Sequence, residues 1–199
     1  MSLVTLVSGG IDSTLMAVLA REVGIPQSPL FIDYGQICKE KEWQTCLGIL
    51  KRYGLPDPVL MNLGGYGQLI SSGLTNPRVR INEDAFLPGR NLLFILAGCA
   101  YAYQLRATAV AIGLLTEETH LFPDQTVSFI SNAQHLIREA MGYPVRVVAP
   151  LMRFTKNDVL ELARAKGIAG SYSCHAGVDP PCGICVSCME IKAAEAKEG

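Results

Sequence analysis

The chain has 199 residues, 49% of them hydrophobic and 18% charged, with a formal net charge of −1. That balance supports a packed core and excludes a disordered chain. It also argues against a nucleic-acid binder, because bulk attraction needs many Lys and Arg contacts to phosphate.

Leu3 to Val7 is a short apolar run that stops at Ser8-Gly9-Gly10, the pattern of a buried strand. Thr14 to Val23 has Leu15, Leu19 and Val23 at helical spacing, and Gly24 and Pro26 end the helix. Leu30 to Ile32 is the next strand, closing a βαβ unit at Asp33-Tyr34-Gly35. Lys39 to Tyr53 predicts a helix with Trp43, Cys46, Leu47 and Leu50 on one stripe, and Val59 to Asn62 a strand. Asn91 to Arg106 reads as a buried helix and Ala109 to Ile112 as a central strand. Its apolar core, Leu92 to Tyr103, makes only about 18 Å of helix, too short for a bilayer core of roughly 30 Å. Thr126 to Met141 is a further helix and Val145 to Val148 a further strand. Thr155 starts the next helix, with Asp158 completing a capping box, and Gly167 ends it. Strands alternating with helices predict an α/β fold: an open, mostly parallel sheet with helices on both faces.

Two stretches break the rhythm. Gly64 to Leu87 is rich in Gly, Ser and Asn, and a loop of that length is usually functional, which makes it the candidate lid. Leu114 to Asp124 follows the C-terminal end of a strand, where open α/β sheets bind ligands. Two units are expected: residues 1–170 as the main domain and 171–199 as a C-terminal metal-binding segment pinned over the sheet edge.

The first loop, Ser8-Gly9-Gly10-Ile11-Asp12-Ser13, carries the clearest chemistry. Glycines let the backbone approach a ligand, and the helix that follows offers unpaired N–H groups and a dipole that favour an anion. Ser8, Ser13 and Thr14 add hydroxyls. The spacing is neither a Walker A loop nor the dinucleotide G-x-G-x-x-G.

Seven cysteines, no secretion signal in MSLVTLVSGG, and a cluster at one end speak against a disulfide framework and for a reducing cytoplasm. Cys174, Cys182, Cys185 and Cys188 are spaced C-x7-C-x2-C-x2-C. Four such thiolates can close a tetrahedron around Zn²⁺, although spacing alone also admits an iron–sulfur cluster. Cys46 and Cys99 fall on apolar helix faces and read as small hydrophobes. Cys38 stands outside the cluster, His175 borders it as a weaker ligand candidate, and His120 and His135 read as ordinary.

SGG-x-DS after a first strand resembles the PP-loop motif of the ATP pyrophosphatases, which cleave ATP between the α and β phosphates. SGGIDST, FIDYGQ at 31–36, LPGRN at 87–91, APL…K at 149–156 and SYSC…PCGICVSC at 171–188 occur in one order. Together they resemble the 7-cyano-7-deazaguanine synthase family over nearly the whole chain. The resemblance implies an enzyme that converts 7-carboxy-7-deazaguanine and ammonia to the nitrile through adenylated intermediates. It would release AMP and pyrophosphate, carry one structural Zn²⁺, work as a homodimer and touch no membrane. Ser8, Gly9, Gly10, Ile11, Asp12, Ser13 and Thr14 would then hold the pyrophosphate end of ATP, with Asp12 acting through Mg²⁺. Asp33, Tyr34, Gly35 and Gln36 would line the nucleotide side, and Arg90, Asn91, Phe122 and Asp124 the substrate side. Asp12, Arg90 and Lys156 would serve the chemistry, the two cations facing negative charge.

Two stretches depart from the family pattern. Gln125-Thr126-Val127-Ser128-Phe129 stands where Cys-Arg-Pro-Glu-Phe is usual, and Glu190 follows Met189 where an Arg is usual. They support a second reading, a ligase of the same chemistry with another carboxylate or acceptor. A third reading is a sulfur-transfer protein acting on tRNA, which a free, reactive Cys-x-x-Cys pair would favour.

Overall fold

The computed structural model describes residues 2–82, 84–116, 118 and 121–196; His120 lies outside them. Five strands form one parallel sheet: β1 (Leu3–Val7), β2 (Gln27–Asp33), β3 (Val59–Asn62), β4 (Ala109–Ala111) and β5 (Arg146–Val148). Their order is β3-β2-β1-β4-β5, with Leu3 opposite Gln27 on one side and Ala109 on the other. All five residues of β1 are buried, as a central strand covered on both faces requires.

The covering helices are α1 (Ile11–Glu22), α2 (Lys39–Arg52), α3 (Gly65–Leu69), α4 (Arg90–Leu105), α5 (Val127–Met141), α6 (Lys156–Ala165) and α7 (Val186–Glu195). Val4, Leu6, Leu30 and Ile32 point to one face, where Ile95, Cys99 and Ala102 of α4 and Ala133 and Ile137 of α5 cover them. Leu3, Val7 and Phe31 point to the other, under α1, α2 and α6. The alternation is the two-residue period of a strand. Buried Cys46 and Cys99 are part of this packing, as expected. No described helix is long and apolar enough to cross a membrane.

The expected elements are present, with ends shifted by a few residues. Capping explains most of the shifts. Thr126 and Thr155 sit just outside α5 and α6 and accept hydrogen bonds from the N–H groups of Phe129 and Asp158; Thr155 and Asp158 make the full capping box. α1 begins at Ile11, earlier than expected, because the glycine turn itself starts the helix.

The segment 64–87, read as a candidate lid, is anchored to the rest of the fold at several described residues. Leu74, Ala85 and Leu87 are buried in the core under α4, and the Gly67 and Ile37 amides bond to Tyr34 and Leu74 carbonyls. The Tyr66 hydroxyl donates to the Pro88 carbonyl, bracing the turn where Gly89, at φ 73°, starts α4. Sparse apolar residues without period conceal that role in the sequence. The C-terminal segment also lies elsewhere than expected. The Tyr172 amide bonds to the Gly9 carbonyl at 3.0 Å, so the segment covers the end of the central strand, not the sheet edge.

Candidate active site

The turn after β1 is tightly built. Gly9 adopts φ 78°, and a Cβ there would meet the Glu42 carbonyl at 2.8 Å and the Cys46 amide nitrogen at 2.9 Å. Only glycine satisfies both conditions. The Ser13 hydroxyl accepts from the Ser8 amide at 3.2 Å and donates to the Gly10 carbonyl at 3.2 Å. The first intrahelical acceptor, the Gly10 carbonyl, goes to the Thr14 amide. Gly10 supplies no side-chain cap, so the Ile11, Asp12 and Ser13 amides have no helical acceptor and present an anion site.

This turn forms the floor of a cleft of about 270 Å³. The cleft opens where β1 and β4 diverge in chain order, bounded by Ser8 after one strand and by Ile112, Gly113 and Leu114 after the other. That is the switch point at which doubly wound sheets bind ligands.

Across the floor, Lys156 at the start of α6 reaches Asp12, with Nζ 2.8 Å from both carboxylate oxygens. The Lys156 side chain is 12% exposed, and a carboxylate of α7, Glu190, lies 4.0 Å from the same Nζ. Burial holds the Glu190 carboxyl above its ordinary pKa, against Lys156, which lowers it, and alongside Asp12, which raises it. Above the floor, the Arg90 guanidinium lies 5.8 Å from the Tyr34 ring centroid and 5.9 Å from that of Phe94. The two rings hold the charge over the cleft.

On the α2 side, the Gln36 amide fixes the wall. Its Oε1 accepts from the Tyr34 amide at 2.9 Å, and its Nε2 donates to the Ile32 carbonyl and to Glu42 Oε2, both at 3.2 Å. Burial pushes the Glu42 carboxyl up to about 7, while the Gln36 and Cys38 hydrogen bonds and the Arg90 charge hold it down. His175 enters from the C-terminal segment. Burial, then the Arg90 and Lys156 charges, lower its pKa to about 4, so it is neutral at pH 7. Its buried Nδ1 has no hydrogen-bond partner.

Beside the cleft, the Sγ atoms of Cys174, Cys182, Cys185 and Cys188 all lie within 4.8 Å of one another. A tetrahedral ion with Zn–S bonds of about 2.3 Å needs its sulfurs roughly 3.8 Å apart. The thiols therefore fit a single ion after small adjustment, and these four cysteines can hold a metal. The Cys182 and Cys185 amides already donate to Cys174 and Cys182 Sγ at 3.3 and 3.4 Å, the solvation that thiolate ligands need. Lys192 Nζ donates to the Gly183 carbonyl at 3.0 Å and braces the knuckle. His175 is not among the grouped ligands. Cys38, read as separate, packs against them in one buried cluster.

Of the residues expected at the site, Ser8, Gly10, Asp12, Ser13, Tyr34, Gln36, Arg90, Asn91, Phe122 and Lys156 line the cleft. Gly9, Ile11 and Thr14 shape the turn from behind. Asp33, Gly35 and Asp124 are not in the lining. The Asp33 carboxylate accepts from the Gly35 amide at 3.0 Å and lies 3.8 Å from Lys39. Asp124 holds the start of α4: its carbonyl accepts from Asn91 Nδ2 at 3.0 Å. Glu42, Gln125, His175, Ser187 and Glu190 line the cleft without having been singled out for it. Glu42 was the detectable one, because it extends the buried stripe of Cys46 and Ile49 at i, i+4 and i+7, where a charge is out of place.

The sheet order and the switch-point cleft define a doubly wound α/β fold, and the glycine turn after β1 resembles a PP-loop. Two solved structures share the fold at low identity: an NMN synthetase from Francisella tularensis and the U34-tRNA thiolase NcsA from Methanococcus maripaludis. The first has TM-score 0.53 and 18% identity, with 90% of this chain and 68% of that one aligned. The second has TM-score 0.54 and 15% identity, with 100% and 65% aligned. Residues 2–198 match the family of queuosine biosynthesis protein QueC, and the chain belongs to that family. The 7-cyano-7-deazaguanine synthase of Methanothermobacter thermautotrophicus is 31% identical over 98% of this chain and 94% of its own length. That of a Synechococcus species is 30% identical over 98% and 95%.

Proposed function

We propose that the protein converts 7-carboxy-7-deazaguanine and ammonia to 7-cyano-7-deazaguanine, activating the acid with ATP and releasing AMP and pyrophosphate. The observation that carries this reading is one cleft in which the uncapped turn of α1, the Asp12–Lys156 pair and Arg90 converge. Its family relatives bear the synthase name.

A carboxylate is a poor electrophile until one oxygen becomes a leaving group, and adenylation makes it one. The Ile11, Asp12 and Ser13 amides face the phosphates, and Asp12 would hold the Mg²⁺ that accompanies them. Lys156 and Arg90 stabilise negative charge as it builds on the transferring group. Both are half-buried, which strengthens that effect by reducing the competition from water. The neutral His175, with its unpartnered Nδ1, offers a polar contact that a bound ligand completes. The four cysteines take one structural Zn²⁺. A closed four-thiolate site leaves no position for water, and the compact sulfur spacing suits one ion better than a cluster of several irons. With those thiols engaged, the sulfur-transfer reading loses its reactive pair. Residues 171–199 act as a zinc segment on the main domain of residues 1–170. The active unit is a cytoplasmic homodimer.

A second reading rests on Gln125. It lines the cleft and accepts from the Leu121 and Phe122 amides at 3.0 Å each, within the stretch that departs from the family sequence. A ligase with the same activation and another acceptor also fits that wall. Mass spectrometry of products from ATP, ammonium and 7-carboxy-7-deazaguanine separates the two. The nitrile, with AMP and pyrophosphate, supports the first. AMP and pyrophosphate without amide or nitrile supports the second. ADP and orthophosphate would remove both.

A further inference from the structure

Among the described residues, three carboxylates line the cleft: Asp12, Glu42 and Glu190. Asp12 is engaged by Lys156 through both oxygens, and Glu190 approaches the same nitrogen. Glu42 alone has no Lys or Arg within ion-pair distance among the described residues, although Arg90 is near enough to be felt. Its placement is fixed at both ends. The α2 backbone at Glu42 is seated against Gly9 of the phosphate-facing turn, and Gln36, itself clamped by Tyr34 and Ile32, holds Oε2. The groups facing it are Tyr34 and Gln36 from the end of β2, Cys38 and Cys46 from α2, and Arg90 from α4. None of these is a fixed cation in contact with it. The Gln36 and Cys38 hydrogen bonds to its carboxylate bring no positive charge to offset burying it, so packing does not explain the acid.

The proposed reaction supplies a need for it. The nitrogen source is a cation in water, and it must enter a cleft already carrying Lys156 and Arg90. We propose that Glu42 is the reception point for the nitrogen nucleophile: its carboxylate draws ammonium into the cleft and accepts the proton that ammonium must lose before its lone pair can attack the adenylate. This rests on the adenylate reading above. In the step, the nitrogen lone pair forms the C–N bond and the C–O bond to AMP breaks, with AMP taking the electron pair. Before the attack, bound ammonium gives one proton to Glu42, which frees that lone pair; after the C–N bond forms, the nitrogen loses a second proton to water, and Glu42 passes the first on to water as well. No oxidant or reductant is involved. A carboxyl whose acidity burial has weakened is a better proton acceptor than an ordinary one.

Three rates on the full chain test this, in wild type, Glu42→Gln and Glu42→Asp. The first is acid-dependent exchange of pyrophosphate into ATP without ammonium. The second is amide formation with ammonium. The third is hydroxamate formation with hydroxylamine, which is already neutral at pH 7 and needs no anionic host. Glu42→Gln should cut amide formation by about 100-fold or more, with exchange and hydroxamate falling less than about tenfold. Glu42→Asp should recover part of the loss. The raised pKa means that ionising Glu42 opposes folding above its unfolded pKa. The Gln variant should therefore melt no lower than wild type at pH 8, which separates loss of rate from loss of fold. Equal losses in all three rates, or an unchanged ammonium rate, would overturn the assignment. A wild type that shows no exchange at all would instead remove the adenylate reading, and this proposal with it.

Discussion

Asp12→Asn should abolish turnover, lowering kcat by about 10²–10³-fold or more, while the protein stays folded. The substitution keeps the size of the side chain and removes its charge. Two functions go with that charge: holding the metal that accompanies the phosphates, and fixing Lys156, which Asp12 contacts at 2.8 Å through both oxygens across 144 residues of sequence. One electrostatic partner of a developing anion is worth about that factor. Removing one member of a buried pair usually costs about 3–5 kcal/mol. Here the cost should be smaller, because the Asp12 side chain is 28% exposed and Glu190 waits 4.0 Å from the stranded ammonium. Steady-state kinetics and urea denaturation of the same sample check both halves. Full activity in the variant would refute the role of the turn; unfolding would show the pair to be structural. Lys156→Met should be similarly inactive, and the double variant scarcely worse than either single one, since the two groups act as a unit.

Stripping the metal, or replacing Cys185 by Ser, should lower the melting temperature sharply and abolish activity together. Metal binding to four thiolates is folding free energy, on the order of 10 kcal/mol for zinc. Cys185 is fully buried, and the segment it closes delivers His175, Ser187 and Glu190 to the cleft wall. Loss of the ion should loosen α7 and remove that wall while the sheet, whose core is built from other residues, keeps its secondary structure. Metal analysis should give about one zinc per chain. A chelated protein with unchanged melting and full rate would show that the cysteines close the segment without an ion.

Much of the site was legible because its signals are local. The glycine turn follows a strand and starts a helix within a few residues, and the four cysteines are grouped in sequence as they are in space. Pro88-Gly89 announces the start of α4, and Arg90 falls where that start meets the cleft. The rest depends on packing between distant elements. Glu42 was hidden in a helix read as structural, His175 was read only as a weak metal ligand, and Glu190 only as a departure from the family pattern. Asp33 looked like a ligand residue beside the cleft but is spent on its own turn and on Lys39. In the segment 64–87 the buried Leu74, Ala85 and Leu87 are too widely spaced to show a period, so its anchoring in the core was not legible.

The uncapped turn at residues 10–13 should grip the leaving pyrophosphate. The most direct measurement is a crystal structure with an ATP analogue whose α–β bridging oxygen is replaced by carbon, so that it cannot be cleaved there. The β and γ phosphates should lie against the Ile11, Asp12 and Ser13 amides, with Lys156 and Arg90 facing the α phosphate. A triphosphate bound elsewhere in the cleft, with those amides facing only water, would contradict the account.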